Sequence, residues 1–337
     1  MNNPLETLIF GILIIFIISV FIWPDKGVVA TWKKAKKQSL KIQIEDALKH
    51  LYDFEEKSIS ITLHSLAGYL GINGDEVASI AETLKEMKLI TIKNEKLNLT
   101  SEGRAYALKI IRVHRLWESY LAEETGIKEK DWHIYAEDKE HYIDQNEADL
   151  LAAKMGNPSY DPHGDPIPTS DGEVPTKKGI LLTEIVDLNK IFQIVHIEDE
   201  PQAIYSQIIA EGLFPGMQIR VIEISKERIK FIAEGEECIL SPLIAANLTV
   251  VPLLYADKIK KEFKTLSSLG IGEEGEIVGI SKACRGQQRR RLLDFGLVPG
   301  TKIIAELESI GKDPIAFNIR GASIALRKSQ TNYIYIK

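Results

Sequence analysis

The most apolar stretch of the chain lies at its start. Residues 7–24 carry no charge, and the run LIFGILIIFIISVFIW within them is almost wholly aliphatic and aromatic. Such a run reaches the lower end of the roughly 17–25 residues that a helix needs to cross a bilayer. Five lysines follow it within residues 26–37, and neither lysine nor arginine precedes it, which is typical of a cytoplasmic C-terminal side. The pattern predicts a single-pass protein of the cell inner membrane, with an anchor over residues 1–25, a basic juxtamembrane linker over 26–41 and the bulk of the chain in the cytoplasm.

Helical periodicity replaces this apolar run after residue 41. Apolar residues at helical spacing predict three helices, over residues 42–56, 61–70 and 76–87. A turn separates the last two, and Asp75 is the predicted N-cap of the third helix. Residues 90–100 then alternate apolar and polar positions around Asn94, which is typical of a β-hairpin. Helix, helix, turn, helix, hairpin is the order of a winged helix-turn-helix, which we assign to residues 42–100.

A second helical region follows the hairpin. Its pattern predicts three helices, over residues 101–124, 130–142 and 145–155, within a helical domain that spans 101–156. Residues 157–182 contain proline, glycine and aspartate without apolar periodicity, and they are predicted to form a linker or a long ordered loop. Beyond this segment the pattern changes to short strands.

The strand-rich C-terminal part contains an internal repeat. Residues 206–225 (SQIIAEGLFPGMQIRVIEIS) match residues 290–309 (RRLLDFGLVPGTKIIAELES) at an offset of 84 residues, which is 290 minus 206. Each copy has the pattern of a helix, a Gly-x-x-Pro-Gly turn and a strand. Because the offset is long enough for a small all-β module, the repeat predicts two such modules, over residues 183–256 and 264–337.

Charge and cysteine content exclude several functions. The net charge of −6 gives no general affinity for nucleic acid, so any such affinity has to come from a local basic patch. The two cysteines, Cys238 and Cys284, form no CxxC pair, which argues against a disulfide framework or a cysteine-rich zinc site and for a reducing compartment. The sequence also lacks an HExxH motif, a nucleophile elbow and a phosphate-binding glycine loop, so we do not predict an enzyme.

Residues with metal-ligand side chains concentrate on two of the helices after the hairpin. Four of them stand at i, i+4, i+7 and i+8 along one helical face: His133, Glu137, Glu140 and His141. The preceding helix carries a further pair at i and i+4, His114 and Glu118. Carboxylates combined with imidazoles favour Mn(II) or Fe(II) over soft-ligand metals. A merely solvated charged face is the alternative that spacing alone leaves open.

Three stretches of the chain resemble the diphtheria toxin repressor family of metal-dependent regulators, which includes a manganese-transport-regulator branch. They are LTSEGRAYALKIIRVHRLWESYL (residues 99–121), WHIYAEDKEH (132–141) and GNPSYDPHGDPIP (156–168). Nearer the C-terminus, GEEGEIVGISKACRGQQRRRLLDFGLVPG (272–300) resembles the FeoA-like, SH3-like barrels of iron transport. The resemblance implies an α+β chain in which the transmembrane helix precedes a winged helix-turn-helix, a helical metal-binding and dimerisation domain, and two SH3-like β-barrels.

The resemblance also implies roles for individual residues. The family's metal-ligand positions correspond to Asp46, His114, Glu137, Glu140 and His141, and its ancillary-site positions correspond to Glu118 and His133. Glu200 and Gln202 lie in the region from which the iron branch takes ligands of its barrel domain. Lys49 departs from the pattern, because the manganese branch has a glutamate ligand there and an ammonium group repels a cation. This departure puts a binuclear site of that branch in question.

Function and partners follow from the same resemblance. It implies a homodimeric transcriptional regulator that controls metal-ion homeostasis with Mn(II) or Fe(II) as its cofactor. The candidate DNA contacts are Ser79 and Lys85 on the recognition helix and Lys93 and Lys96 on the wing. The recognition helix (DEVASIAETLKEMK) is rich in acidic residues, which the phosphates of DNA repel. The alternative is therefore a membrane-anchored metal sensor that acts on a metal transporter through protein contacts, with a winged helix that no longer binds DNA.

Overall fold

The computed structural model describes residues 28–188, 190–233, 235–253 and 264–337. Helices and strands are both abundant, and the predicted mixed α+β class is confirmed. The chain divides into two compact units. The first contains the described residues up to Ile111 together with Glu140–Ile143, and the second contains Arg112–Lys139 and the described residues from Asp144 onward.

The first unit packs helices around a small sheet. Its elements are α1 (Val28–Glu56), β1 (Ile61–Thr62), α2 (Leu63–Leu70), α3 (Gly74–Glu86), β2 (Ile90–Lys93), β3 (Lys96–Leu99) and the first part of α4 (Ser101–Glu124). The sheet has the strand order β1-β3-β2 with antiparallel pairs. Leu48, Leu66 and Leu84 from α1, α2 and α3 are fully buried in one core. The order of the helices and the hairpin is the one that the sequence predicts for residues 42–100, and the short strand β1, at the start of the helix predicted for residues 61–70, is the difference.

Capping side chains explain where the short helices of this unit begin and end. Thr62 caps α2, and Gly71, with a φ of 64°, ends it in the left-handed region. The N-cap of α3 is Asn73, whose side-chain oxygen accepts a hydrogen bond from the backbone N–H of Glu76 at 2.9 Å. The prediction that Asp75 caps this helix is therefore wrong, because an amide two residues earlier has that role and Asp75 lies in the first turn.

Two predictions for the start of the chain are corrected. α1 begins at Val28, so the predicted linker over residues 26–41 is helical from that residue onward. The prediction of a single-pass inner-membrane protein is contradicted, since no helix among the described residues is both long enough and apolar enough to cross a bilayer. α1 itself has charged residues along most of its length. The predicted anchor, residues 1–25, lies outside the described residues.

The second unit contains the remaining helices of the helical region. α4 continues into it and is followed by α5 (Trp132–Glu140) and α6 (Gln145–Lys154). All three lie within two residues of their predicted bounds. Asp144 caps α6 by accepting a hydrogen bond from the backbone N–H of Glu147 at 2.9 Å. Trp132 is buried, and its indole N–H donates to the carbonyl oxygen of Ile127 at 3.0 Å, which holds the start of α5 against the end of α4.

Two six-stranded sheets complete the second unit. The first has the order β4-β9-β5-β6-β7-β8, from β4 (Ile180–Leu181), β5 (Ile191–Ile197), α7 (Gln202–Ala210), β6 (Gln218–Ile224), β7 (Ile229–Ala233), β8 (Glu236–Leu240), α8 (Pro242–Ala245) and β9 (Leu248–Pro252). The second has the order β10-β15-β11-β12-β13-β14, from β10 (Lys264–Thr265), β11 (Glu274–Ile280), α9 (Gly286–Asp294), β12 (Lys302–Glu308), β13 (Ile315–Ile319), β14 (Ala322–Leu326), α10 (Lys328–Thr331) and β15 (Ile334–Ile336). The two orders are equivalent strand by strand, and Gly212 and Gly296 end the equivalent helices with φ values of 73° and 83°. The internal repeat is therefore a repeat of topology.

Candidate metal centres

A cluster of imidazoles and carboxylates in the second unit surrounds the side chain of Glu118. Glu118 and His114 stand one turn apart on α4, and Glu118 Oε1 lies 3.1 Å from His114 Nε2. His133, near the start of α5, places its Nδ1 3.4 Å from the same oxygen. The side chain of Glu118 is 2% exposed, so these groups meet where little water screens their charges.

The loop after α6 contributes a third imidazole. The carboxylate of Asp161 accepts hydrogen bonds from the backbone N–H groups of His163 and Asp165, both at 2.9 Å, which stabilises a tight turn. Gly164 packs against β5 so closely that a Cβ atom would come within 2.0 Å of a backbone carbonyl oxygen. In this position His163 Nε2 lies 3.9 Å from Glu118 Oε1.

The segment between β5 and α7 contributes carboxylates. Asp199 Oδ2 lies 3.1 Å from His133 Nδ1, on the side of the ring that faces Glu118. Glu200 Oε1 and Glu137 Oε1 each lie 3.4 Å from Nε2 of the same ring. Five residues form two groups of candidate ligands that share Glu118, and we call them the Glu118 cluster: His114, Glu118, His133, His163 and Asp199.

Hydrogen bonds around His163 determine which of its nitrogens faces the cluster. Tyr205 donates its hydroxyl proton to Glu129 Oε1 at 2.9 Å, so its oxygen accepts from His163 Nδ1, also at 2.9 Å. This bond leaves Nε2 facing Glu118, where loss of its proton would expose a lone pair to a metal ion. A polar partner on the outer nitrogen is the arrangement that orients a histidine toward a metal ion.

Three atoms of the Glu118 cluster that could bind a metal ion make no hydrogen bond. Across the residues that the structure describes, this holds for the buried atoms Glu118 Oε1, His133 Nδ1 and His163 Nε2, even though Asp199 Oδ2 is within hydrogen-bond distance of His133. Buried polar atoms without partners are rare and destabilising. The candidate ligand atoms lie within 4.8 Å of one another in two overlapping groups that share Glu118. Each group combines imidazole and carboxylate ligand atoms at a spacing that suits a divalent cation, so the residues present fit a metal ion.

The charges of the cluster are strongly coupled. Burial favours the neutral form of Glu118, but the adjacent imidazoles of His114 and His133 outweigh it and hold the pKa of Glu118 well below its ordinary value. Burial likewise opposes the charged form of His133, and the carboxylates of Asp199 and Glu118 nevertheless raise the pKa of His133. The neighbouring carboxylates raise the pKa of His163 as well, so the protonated forms of His133 and His163 are favoured. Because a metal ion binds neutral imidazole, its binding releases these protons.

A second group of candidate ligands lies in the first unit, and we call Asp46, Glu140 and His141 the Asp46 cluster. Asp46 Oδ1 lies 3.2 Å and Glu140 Oε1 3.7 Å from His141 Nε2. The other ring nitrogen, Nδ1, lies 2.7 Å from Glu45 Oε2, and Tyr106 donates to the second oxygen of Glu45 at 2.7 Å. Burial lowers the pKa of His141, but Asp46 and Glu45 raise it to about 9.

A lysine side chain already engages the Asp46 cluster. Lys49 Nζ lies 2.8 Å from Glu140 Oε1 and 3.0 Å from Glu140 Oε2. The side chain of Lys49 is 11% exposed and that of Glu140 is 0% exposed. The carboxylate of Glu140 is thus neutralised by a cation of the chain itself.

Comparisons with known proteins connect these clusters to a family. Residues 100–169 match the metal binding and dimerisation domain of iron dependent repressors, and residues 264–337 match the FeoA domain. The iron-dependent repressor IdeR of Mycobacterium leprae is 26% identical over 208 residues, which cover 58% of this chain and 90% of that protein. The diphtheria toxin repressor of Corynebacterium diphtheriae is 24% identical over 192 residues, which cover 52% of this chain and 82% of that protein. The resemblance to the diphtheria toxin repressor family is confirmed.

Solved structures and one transporter extend the comparison. A manganese-dependent transcriptional repressor in complex with manganese has a TM-score of 0.57 at 28% identity, and it covers 62% of this chain and 99% of its own. A probable metal transport system membrane protein of Chlamydia trachomatis is 36% identical over 80 residues, which are 24% of this chain and 18% of that protein. The relatives of the diphtheria toxin repressor family are repressors by name, which agrees with the prediction that this chain is not an enzyme.

The residues at diphtheria toxin repressor family positions are divided between the two clusters. Asp46, Glu140 and His141 meet in the first unit, and His114, Glu118 and His133 meet in the second. Glu137 lies beside His133 Nε2 in the second unit. Gln202 donates to the carbonyl oxygen of Lys130 at 3.1 Å. The sequence reasoning missed His163, Asp199 and Glu45. Only His163 had a signal, because it lies within the quoted stretch GNPSYDPHGDPIP, whose glycine and proline residues indicate a fixed turn.

The candidate DNA contacts all lie on the surface of the first unit. Ser79 and Lys85 are exposed on α3, and Lys85 Nζ pairs with Glu82 at 3.1 Å. Lys93 and Lys96 are exposed and directly opposite each other in the hairpin formed by β2 and β3. The wing therefore presents two adjacent positive charges, while the nearest lysine of α3 is partly neutralised.

Proposed function

We propose that this protein is a metal-dependent transcriptional regulator that controls metal-ion homeostasis, with Mn(II) or Fe(II) as its cofactor. The observation that carries the proposal is the Glu118 cluster, in which three buried donor atoms converge without hydrogen bonds within the described residues. Six of the residues that the family resemblance implies as ligands lie in the part that matches the metal binding and dimerisation domain: His114, Glu118, His133, Glu137, Glu140 and His141. A donor set of imidazole and carboxylate groups suits Mn(II) and Fe(II).

The ligand assignment rests on chemistry and position. We assign the metal to the Glu118 cluster. The wider set of ligands that the family resemblance implies is Asp46, His114, Glu118, His133, Glu137, Glu140 and His141. His163 and Asp199 are added because their donor atoms face Glu118 and His133. Metal that binds this cluster joins α4, α5 and the first six-stranded sheet, so metal binding stabilises one arrangement of these elements.

The finer domain assignment is part of the same proposal. Residues 42–100 form the winged helix-turn-helix, residues 101–156 bind metal and dimerise, residues 157–182 connect the two parts, and residues 183–256 and 264–337 form two SH3-like barrels. The match of residues 100–169 to a metal binding and dimerisation domain supports the second of these assignments. The equivalent strand orders of the two sheets support the assignment of two related barrels.

DNA binding is tested with a labelled DNA duplex taken from upstream of the protein's own coding region. Fluorescence anisotropy at low salt should show binding that requires Mn(II) and that Glu118→Gln abolishes. Lys93→Gln with Lys96→Gln should weaken binding to all sequences, because each lysine near phosphate adds to a salt-dependent term. Binding by the wild-type protein that is equally tight with and without Mn(II) contradicts a metal-dependent regulator.

The exposed surface of α3 favours a second candidate, a metal sensor that acts through protein contacts. Asp75, Glu76, Glu82 and Glu86 are all exposed on this helix, and the exposed Ser79 lies among them. In a helix-turn-helix the recognition helix enters the major groove between two rows of phosphates. Acidic side chains there repel the DNA, whereas they suit a basic surface of a protein partner.

The triple change Asp75→Ser, Glu76→Gln and Glu82→Gln separates the two candidates. If α3 enters the groove, removing three negative charges should strengthen binding in the Mn(II)-loaded protein, at about tenfold for each 1.4 kcal/mol of repulsion removed. Glu56→Gln, on an exposed position of α1, is the matched control for a change in net charge. Absence of DNA binding by the wild type and by the triple variant, at low salt and saturating Mn(II), favours the protein-binding sensor.

A further inference from the structure

The two clusters differ in how their charges are balanced. In the Glu118 cluster, buried ligand atoms face one another without hydrogen bonds among the residues that the structure describes. In the Asp46 cluster, both oxygens of Glu140 accept from Lys49, and Nδ1 of His141 is paired with Glu45. The Glu118 cluster therefore has ligand atoms available for an added cation. The Asp46 cluster already contains a cation, the ammonium group of Lys49.

We propose that Lys49 is the resident cation of the Asp46 cluster, so that the chain binds a metal ion stoichiometrically at the Glu118 cluster and not at the Asp46 cluster. The inference rests on the proposed metal-dependent function, and it states which of the two candidate sites takes the metal. It also makes Lys49 a residue that determines how many metal ions the chain binds.

Distances show why a metal ion and the Lys49 ammonium group exclude each other. A transition-metal ion lies about 2.0–2.2 Å from a carboxylate ligand oxygen. Lys49 Nζ lies 2.8 Å from Glu140 Oε1 and 3.0 Å from Glu140 Oε2. An ion bound to either oxygen would therefore be at most about 5 Å from the ammonium nitrogen. Because the two side chains are 11% and 0% exposed, little water is present to screen this repulsion.

Displacement of Lys49 does not remove the conflict. The ammonium group would have to leave a buried carboxylate and find another partner or reach water, and a buried charge without a partner is strongly destabilising. Lys49 also joins α1 to the end of α5 within the first unit, because Glu140 is the last residue of α5. The pair thus provides, without metal, the connection between these two segments that a bridging metal ion would otherwise provide.

The experiment counts Mn(II) ions bound by the full-length protein in a two-by-two set of variants. The electron paramagnetic resonance signal of free aquated Mn(II) is followed during a titration, and far-UV circular dichroism checks that each variant is folded. The expected stoichiometries are one ion per chain for the wild type, two for Lys49→Gln, none for Glu118→Gln and one for the double variant. Lys49→Arg keeps the charge and should bind one ion. Lys302→Gln, which removes an exposed lysine paired with Glu274, is the matched control and should also bind one.

Each alternative outcome has one meaning. Two ions in the wild type, one ion retained by Glu118→Gln, or no additional ion in a folded Lys49→Gln variant overturns the role of Lys49 and leaves metal-dependent function standing. No bound ion in either the wild type or Lys49→Gln overturns the proposed function itself. If Lys49→Gln fails to fold, Glu118→Gln with Lys49 intact still decides, because an ion retained there has to occupy the Asp46 cluster.

Discussion

Replacing Glu118 with glutamine tests the proposed metal centre, because three imidazole nitrogens lie close to Glu118 Oε1. Glu118 Oε1 lies 3.1 Å from His114 Nε2, 3.4 Å from His133 Nδ1 and 3.9 Å from His163 Nε2. Glutamine keeps the size and shape of the side chain but removes the negative charge that holds protons on these imidazoles. The change therefore removes one ligand and leaves the backbone of α4 unaltered.

The magnitude of the effect follows from the position of this oxygen. Loss of an outer-shell partner lowers metal affinity by about 10–100-fold, so loss of a ligand that faces three others should lower it by at least about 100-fold. That factor corresponds to about 2.8 kcal/mol of binding free energy. Metal binding should also release fewer protons, because His133 and His163 lose a carboxylate that raises their pKa.

The assay is an isothermal titration of the full-length protein with Mn(II) in buffers of different ionisation enthalpy, which yields both affinity and proton release. Glu123→Gln is the matched control, since Glu123 is exposed and lies on the same helix. It should bind Mn(II) as the wild type does. Unchanged affinity and proton release in Glu118→Gln would refute the assignment of the Glu118 cluster as the metal centre.

Three further predictions test other parts of the argument. Tyr205→Phe removes the hydrogen bond to Nδ1 of His163 and should lower Mn(II) affinity by about 10–100-fold in the same titration. An unchanged affinity would contradict the role of Tyr205 in orienting this imidazole. His141 has a pKa raised from 6.5 to about 9, so its contribution to the stability of the metal-free protein is complete below pH 6.5 and lost as the pH rises through 9. Urea unfolding at a series of pH values should show this loss for the wild type but not for His141→Gln. Gly286→Ala should lower the free energy of unfolding by more than about 1 kcal/mol, because φ is 56° there and a Cβ atom would lie 2.4 Å from the carbonyl oxygen of Thr125. Thermal unfolding of Gly74→Ala, a position with open space, is the control, and equal shifts in the two variants would contradict the close contact.

Local patterns predict the elements of this chain well where local forces determine them. α4 spans Ser101–Glu124 as predicted, because its apolar residues keep helical spacing throughout and Thr100 stabilises its first turn by accepting a hydrogen bond from the backbone N–H of Gly103 at 3.0 Å. The hairpin turns at Asn94 and Glu95, both with positive φ, as the alternation around Asn94 indicates. The start of α1 was harder to predict, because lysine, alanine and glutamine look like linker residues and yet favour helix.

The candidate site was predictable only in part, because some of its residues are close in sequence and others are brought together only by tertiary packing. His114 and Glu118 are one helical turn apart, so their proximity follows from the helix alone. Asp199 lies 66 residues after His133 (199 minus 133), and only the packing of the first six-stranded sheet brings their side chains to 3.1 Å. Lys49 could be recognised as a departure from a family pattern, but its bidentate contact with Glu140 depends on how α1 packs within the first unit.

The two six-stranded sheets show that the site depends on particular side chains and not on the topology that carries them. The offset of 84 residues places Ala283 and Cys284 of the second copy at the positions of Asp199 and Glu200 of the first. Ala283 has no ligand atom in its side chain, and Cys284 has a thiol in place of the carboxylate of Glu200, with a pKa that burial raises to about 11 despite the opposing charge of Arg289. The equivalent loop before α9 carries no carboxylate, and α9 itself contacts the end of α4, where Arg290 pairs with Glu124. The loop before α7 thus supplies carboxylates to the Glu118 cluster in the first copy. In the second copy the helix that follows the equivalent loop supplies a positive charge to the C-terminal end of α4, where a cation is favourable to the helix dipole.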